Sequence, residues 1–287
     1  MEAKGEVLKA ALWMTGAIAS FTSMAIAGRA VSLELDTFEI MMYRSLVGVV
    51  IILGAGAAAG TLGQITRRHL GLHFIRNLSH FTGQNLWFFS LTAIPLAQVF
   101  ALEFTAPLWV IALSPLVLGE RMTPVRVMAA VIGFIGILIV ARPSPDSLEF
   151  GQVTAAVAAI GFAGSIMFTR RLTRTETATC ILFYLAVMQA VFGVFCAGID
   201  GDIALPSIAA LPWLVLIGCA GLFAHFCLTT ALASAPATIV IPFDFARLPL
   251  IAVVGMLIYD EPLDLWVVLG AAVIFGGNYL NIWSETK

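Results

Sequence analysis

Residues 95–120 read "PLAQVFALEFTAPLWVIALSPLVLGE", and residues 236–261 read "PATIVIPFDFARLPLIAVVGMLIYDE". Shifting the chain against itself by 141 residues, without gaps, lays one stretch on the other. Pro95 then meets Pro236, Glu103 meets Asp244, Phe104 meets Phe245 and Glu120 meets Glu261. The same shift sets Arg29 on Arg170 and Tyr43 on Tyr184. Leucines and alanines coincide by chance in any two apolar segments and say little. Scarce prolines and charges meeting at one offset mark an internal repeat. Each copy also holds a carboxylate inside an otherwise lipid-soluble run, where an ionised group costs about 2.5–3.5 kcal/mol on insertion scales. The second copy adds Arg247, one helical turn beyond Asp244.

The setting for those charges is a membrane. Of 287 residues, 60% are hydrophobic and 11% charged, with mean hydropathy +1.00. An average soluble domain is roughly a quarter charged. The net charge of −2, without a basic stripe, excludes a nucleic-acid partner. No Gly-rich phosphate loop, HExxH pair or nucleophile elbow is present, so an enzyme is not expected. Cys180, Cys196, Cys219 and Cys227 lack metal-ligand spacing and read as small buried hydrophobes, so neither metal nor cofactor is expected. The start, "MEAKGEVLKAALWMTG", lacks a secretory n-region and cleavage site, so the first apolar segment is expected to be retained.

With about 20 apolar residues needed per crossing, the chain divides into ten transmembrane helices. They lie at 8–28, 37–58, 69–92, 96–118, 123–141, 149–170, 177–197, 209–232, 236–258 and 263–283. With the N-terminus inside, ten of the 15 Lys and Arg fall in cytoplasmic segments, and only Arg29 and Arg142 fall outside. Both termini are therefore expected in the cytoplasm. Each half, 1–146 and 147–287, holds five helices. An odd number forces the second half upside down, which predicts an all-α membrane protein built as two inverted five-helix repeats. In such folds the substrate site lies near the midplane, between the repeats.

The two stretches quoted above also carry a family resemblance, which covers nearly the whole chain. The sequence resembles the drug/metabolite transporter superfamily, in its ten-helix EamA-type branch. Glu120 with "GFIG" (133–136) matches the hallmark after the fourth helix, and Glu261 with "FGG" (275–277) matches it less strictly after the ninth. The resemblance implies a secondary transporter of small metabolites in the cytoplasmic (inner) membrane.

Five charged residues stand well inside the spans: Arg44, Arg76, Glu103, Asp244 and Arg247. On the third helix, at 100° per residue, His73, Arg76, Asn77, His80, Gln84 and Trp87 share one face. Opposite them stand Leu72, Phe74, Ile75, Leu86 and Phe89, with Asn85 the one polar exception. A polar stripe of this length avoids lipid by lining a water-filled cavity or by packing on polar neighbours. Gln84 meets His225 under the 141-residue shift, which points His225 at the same cavity. Glu103 lies about two turns from the outer face and Asp244 about two turns from the inner one. They are the candidate coupling or gating acids, one expected on each side of the midplane. Arg247 has two roles open to it, neutralising Asp244 at i,i+3 or presenting its planar fork to a substrate anion. Arg44 and Arg76 join it as candidate anion ligands, although Glu39, near the start of helix two, is a rival partner for Arg44.

Three arginines against two clear carboxylates leave a positive excess. From that excess the expected substrate is a small anionic or zwitterionic metabolite, such as an amino acid, organic acid or related carboxylate. Transport is expected by alternating access, with protons or a counter-substrate as the coupled species. Two alternatives stand beside it: a larger flat metabolite such as riboflavin or S-adenosylmethionine, held by aromatic residues of the spans (Trp87, Phe88, Phe89, Phe100, Phe104, Trp109, Phe162, Phe243 and Phe245), and a passive channel. The bilayer is the expected surrounding partner, and the protein is expected as a monomer or homodimer.

Overall fold

The computed structural model describes residues 2–119, 123–142, 149–199, 201–261 and 265–285. Glu120, Arg121, the 146/147 boundary between the halves, Asp200, Asp264 and Lys287 lie outside the described residues. Among the described residues the chain is helical, with no strand. The helices are α1 (Glu2–Val31), α2 (Thr37–Ala58), α3 (Leu70–Ala93), α4 (Leu96–Glu103), α5 (Ala106–Val117), α6 (Pro124–Ala141), α7 (Phe150–Leu172), α8 (Ala178–Ala197), α9 (Leu211–Ser234), α10 (Ala237–Val240), α11 (Arg247–Tyr259) and α12 (Leu265–Glu285). Side chains start several of them. Asp36 Oδ1 accepts from the Glu39 amide and Glu39 Oε2 from the Asp36 amide, a reciprocal cap that opens α2. Thr177 caps α8 by accepting from the Cys180 amide.

Among the described residues six helical stretches are long and apolar enough to cross a membrane: Gly5–Val31, Thr37–Ala58, Leu96–Val117, Phe150–Leu172, Ala178–Ala197 and Leu211–Ser234. α3 has the length but falls short in hydropathy, because its polar stripe dilutes an otherwise apolar helix.

The helices pack mainly across the two halves: α1 on α9, α3 on α7, α2 on α8 and α6 on α12. Shifting by 141 residues turns the α1–α9 pair into α7–α3, so the packing repeats with the sequence. Missing side chains allow the closest approaches. A Cβ on Gly161 of α7 would lie 2.8 Å from the Ser79 carbonyl oxygen and 2.9 Å from Gly83 Cα on α3. On α8, a Cβ on Gly193 would lie 2.7 Å from Met42 Cα of α2.

Two expected helices are not continuous. The fourth stops at Glu103 and restarts at Ala106. The ninth is a single turn, α10, then a tight 3-10 segment over Ile241–Ala246, then α11. Both second pieces begin with a proline in their first turn, Pro107 and Pro249. Proline has no N–H for the carbonyl four residues earlier, so the ladder is interrupted at Glu103 and at Phe245. The breaks coincide under the 141-residue shift, and each falls beside its carboxylate, the buried Glu103 or the partly buried Asp244. α4 packs on α11, which brings the two breaks together.

Candidate functional site

The polar face of α3 is buried along its length. His73, Arg76, Asn77, His80, Gln84 and Trp87 are all at most 3% exposed, whereas Phe74, Ile75 and Phe89 are 38–48% exposed. The stripe serves two purposes. Its first part is locked to neighbouring helices, Arg76 Nε donating to Thr169 Oγ1 of α7 (2.9 Å) and Gln189 Nε2 of α8 to the Asn77 carbonyl (2.8 Å), while Arg76 Nη1 donates within α3 to Asn77 Oδ1 (3.0 Å). Its second part, His80, Gln84 and Trp87, lines a cavity between the two halves.

That cavity collects His80, Gln84, Trp87, Glu103, His225, Asp244 and Arg247 from the residues singled out in the sequence. Arg44, Arg76 and Asn77 do not line it. Arg44 sits between α2, α8 and α9 beside Gln189 and Gly218, with Met41 Sδ at 3.6 Å. Glu39 does not reach Arg44. Besides its cap, Glu39 Oε1 accepts from the Ala204 amide at 2.6 Å.

The acids and Arg247 form one cluster. Arg247 Nη2 donates to Glu103 Oε1 at 2.6 Å and to Asp244 Oδ2 at 2.7 Å. Trp87 Nε1 donates to the other Glu103 oxygen at 2.7 Å. The guanidinium carbon also lies 5.0 Å from the Phe21 ring centre, 4.9 Å from Phe100 and 5.2 Å from Phe104, within cation–π range. Two carboxylates sharing one nitrogen lie far closer together than the depth of their residues along unbroken helices had suggested. The helix breaks let them converge. Arg247 is thus occupied by two acids, which removes the positive excess from the cavity wall.

Sequence reasoning passed over Phe21, Met24, Ser165 and Leu228, which also line the cavity. Phe21 looks like any lipid-facing residue of an apolar helix. The repeat held a usable signal: 141 residues on from Phe21 stands Phe162, also a lining residue. Met24 and Ser165, Gln84 and His225, Trp87 and Leu228, and Glu103 and Asp244 complete five lining pairs at that offset. The cavity volume is ≈ 70 Å³, below the roughly 300–1,000 Å³ of pockets that enclose drug-sized ligands. Helices must therefore separate to admit a metabolite. A larger, apolar void of ≈ 590 Å³ lies between α4, α5, α6 and α7, but its walls include the exposed Trp109, Val157 and Ile160 and none of the charged cluster.

A second ion pair ties helices together outside the cavity lining. Arg29, in the last turns of α1, pairs with Glu261 just after α11 at 2.6 Å and lies 4.5 Å from the Tyr259 ring centre. The same Glu261 oxygen accepts from the Leu96 amide at the start of α4 (3.3 Å), and Tyr259 Oη donates to the Ile26 carbonyl (3.3 Å).

Comparison with known proteins places this geometry. The model of the EamA-like transporter family matches residues 8–142 and again 149–283. A riboflavin transporter from Brucella anthropi is 30% identical over 83% of this chain and 85% of its own length. A riboflavin transporter from Vibrio cholerae is 29% identical over 100% and 97%, and an S-adenosylmethionine uptake transporter from Rickettsia bellii is 24% identical over 96% and 94%. A solved crystal structure superposes with a TM-score of 0.76 at 19% identity, covering 94% of this chain and 95% of that one, which shows a shared fold. The relatives' names overturn the expected amino acid, organic acid or related carboxylate and stand with the flat-metabolite alternative. The occupied Arg247 explains the error, because the charge excess was counted without knowing which groups share the cavity. Apolar spans and bacterial transporter relatives make the chain a multi-pass protein of the inner membrane. It belongs to the EamA-like transporter family, within the drug/metabolite transporter superfamily.

Proposed function

We propose that the chain is a secondary transporter of a flat heteroaromatic metabolite, riboflavin first, working by alternating access through the central cavity. The observation that carries this reading is the cavity itself. It sits where the two halves meet, is lined in 141-residue pairs, and sets the rings of Phe21, Phe162 and Trp87 beside buried hydrogen-bonding groups. Aromatic walls with a few placed polar groups suit a planar heterocycle. The names of the relatives support the same substrate class.

In this reading the chain crosses the membrane ten times as two inverted five-helix halves, 1–146 and 147–287, with both termini cytoplasmic. The Arg29–Glu261 pair then closes the outer side, and the broken helices at Glu103 and Asp244 are the joints about which the halves rock. Arg44, Arg76 and Asn77 act on the scaffold. A second reading, S-adenosylmethionine, is favoured by the two carboxylates on the cavity wall, which suit a sulfonium cation.

Flavin fluorescence separates the two. Riboflavin titrated with purified protein is expected to lose emission saturably as it stacks on the cavity rings, with weak competition from S-adenosylmethionine. Saturable binding of S-adenosylmethionine without any riboflavin quenching would replace the first reading by the second. No binding of either would refute both.

A further inference from the structure

The cavity wall is unevenly satisfied. Around Arg247 one nitrogen and three carboxylate oxygens are engaged, while Arg247 Nε and Asp244 Oδ1 stay unpaired; in a second group, His80 and Gln84 of α3 with His225 of α9, more of the polar atoms lack a partner. The two imidazoles meet edge to face, with ring centres 4.6 Å apart and planes at 86°. His80 Nε2, both ring nitrogens of His225 and Gln84 Oε1 are buried without a protein partner. Gln84 spends its amide nitrogen on a weak contact with Met24 Sδ (3.6 Å), which leaves the carbonyl oxygen as its useful group. Rings flank the set: Phe21 lies 5.6 Å from His225 and Phe162 lies 6.1 Å from His80.

Buried polar atoms left unpaired are unfavourable, and native proteins rarely collect them. Four on adjacent side chains of one cavity specify a ligand with several polar atoms along an edge. Each neutral imidazole offers one N–H donor and one acceptor, and the Gln84 oxygen only accepts. Two donors with an acceptor complement an edge of the pattern acceptor, donor, acceptor. A cyclic imide, carbonyl–N–H–carbonyl, has that pattern, and the isoalloxazine ring of a flavin ends in one. The adenine ring lacks it.

We propose that His80, Gln84 and His225 read the imide edge of the substrate ring. The imidazole N–H groups bond its two carbonyls, and Gln84 Oε1 accepts from its N–H. The flanking rings of Phe21 and Phe162 hold the heterocycle while the edge is read. These three side chains determine specificity, separately from the Arg247 cluster, which joins the broken helices. The assignment rests on the heteroaromatic reading of the cavity and narrows it to imide-bearing rings.

The test compares uptake of riboflavin and of its N3-methyl derivative by proteoliposomes. Methylation blocks the imide N–H and leaves ring size, charge and stacking nearly unchanged. Wild-type protein is expected to favour riboflavin by about 5- to 150-fold, as for a buried acceptor left unpaired. Gln84→Met keeps the volume but removes the acceptor. It is expected to lower riboflavin uptake and bring the ratio close to one, with monodisperse elution showing that it folds. His225→Gln, which retains a donor and an acceptor, is expected to keep more riboflavin uptake than His225→Phe. Equal uptake of both flavins by the wild type, or undiminished discrimination by Gln84→Met, overturns the imide assignment alone. Absence of riboflavin uptake by the wild type overturns the functional reading and the assignment with it.

Discussion

Removing Arg247 exposes how much the joint between the broken helices depends on charge. Its Nη2 bonds both Glu103 and Asp244, and its side chain is 3% exposed. At an effective dielectric constant near 20, unit charges about 4 Å apart attract by about 4 kcal/mol. Burial cancels much of this, so the net value of the cluster is small while its disruption is expensive. Arg247→Met leaves two carboxylates facing each other without a cation, and loss of one partner from a buried pair costs about 3–5 kcal/mol. The triple variant Arg247→Met, Glu103→Gln, Asp244→Asn removes every charge at once and is expected to recover to within about 1 kcal/mol of wild type. Trp87 retains an acceptor in Gln at position 103. Equilibrium unfolding in mixed micelles, followed by tryptophan fluorescence, measures each difference. A loss under 1 kcal/mol for Arg247→Met, or no recovery in the triple variant, refutes the ion cluster as the element that joins α4 to α11.

Three further outcomes follow from other contacts. In the proposed orientation, Arg29→Ala is expected to open the outer side. Because that pair is partly exposed, its stability effect is at most about 1 kcal/mol, but a cysteine placed at Met24 should label faster with an impermeant maleimide added outside, and an unchanged rate counts against the gate. Gly161→Ala drives a methyl group into the α3 backbone and should destabilise by about 1–3 kcal/mol, read as a lower midpoint in thermal unfolding. Phe21→Ala and Phe162→Ala remove equivalent rings from the two halves and should weaken flavin quenching by similar factors. A loss confined to one of them would contradict the shared role.

Legibility in the sequence followed the strength of the physical signal. The membrane setting was plain from hydropathy, and the buried face of α3 from a 100° periodicity that a lipid-exposed helix could not sustain. The family was legible in the residues after the fourth helix. The breaks at Glu103 and Asp244 were not, because proline is common within membrane helices and its presence does not say whether neighbours repair the ladder or the helix parts. Charge counting misled for a related reason. Arg44, Arg76 and Arg247 look alike along the chain, yet only Arg247 reaches the cavity, and two acids hold it there. Phe21 was hidden by its type, since one phenylalanine in an apolar helix carries no directional signal. Only its pairing with Phe162 at the repeat offset distinguishes it.

Riboflavin counterflow tests the central claim most directly. Proteoliposomes loaded with unlabelled riboflavin are diluted into buffer holding a trace of labelled riboflavin. The account predicts transient accumulation of label above equilibrium, driven by exchange through an alternating site. Equilibration without an overshoot would contradict a carrier and indicate a channel, and no entry of label would contradict riboflavin as its substrate.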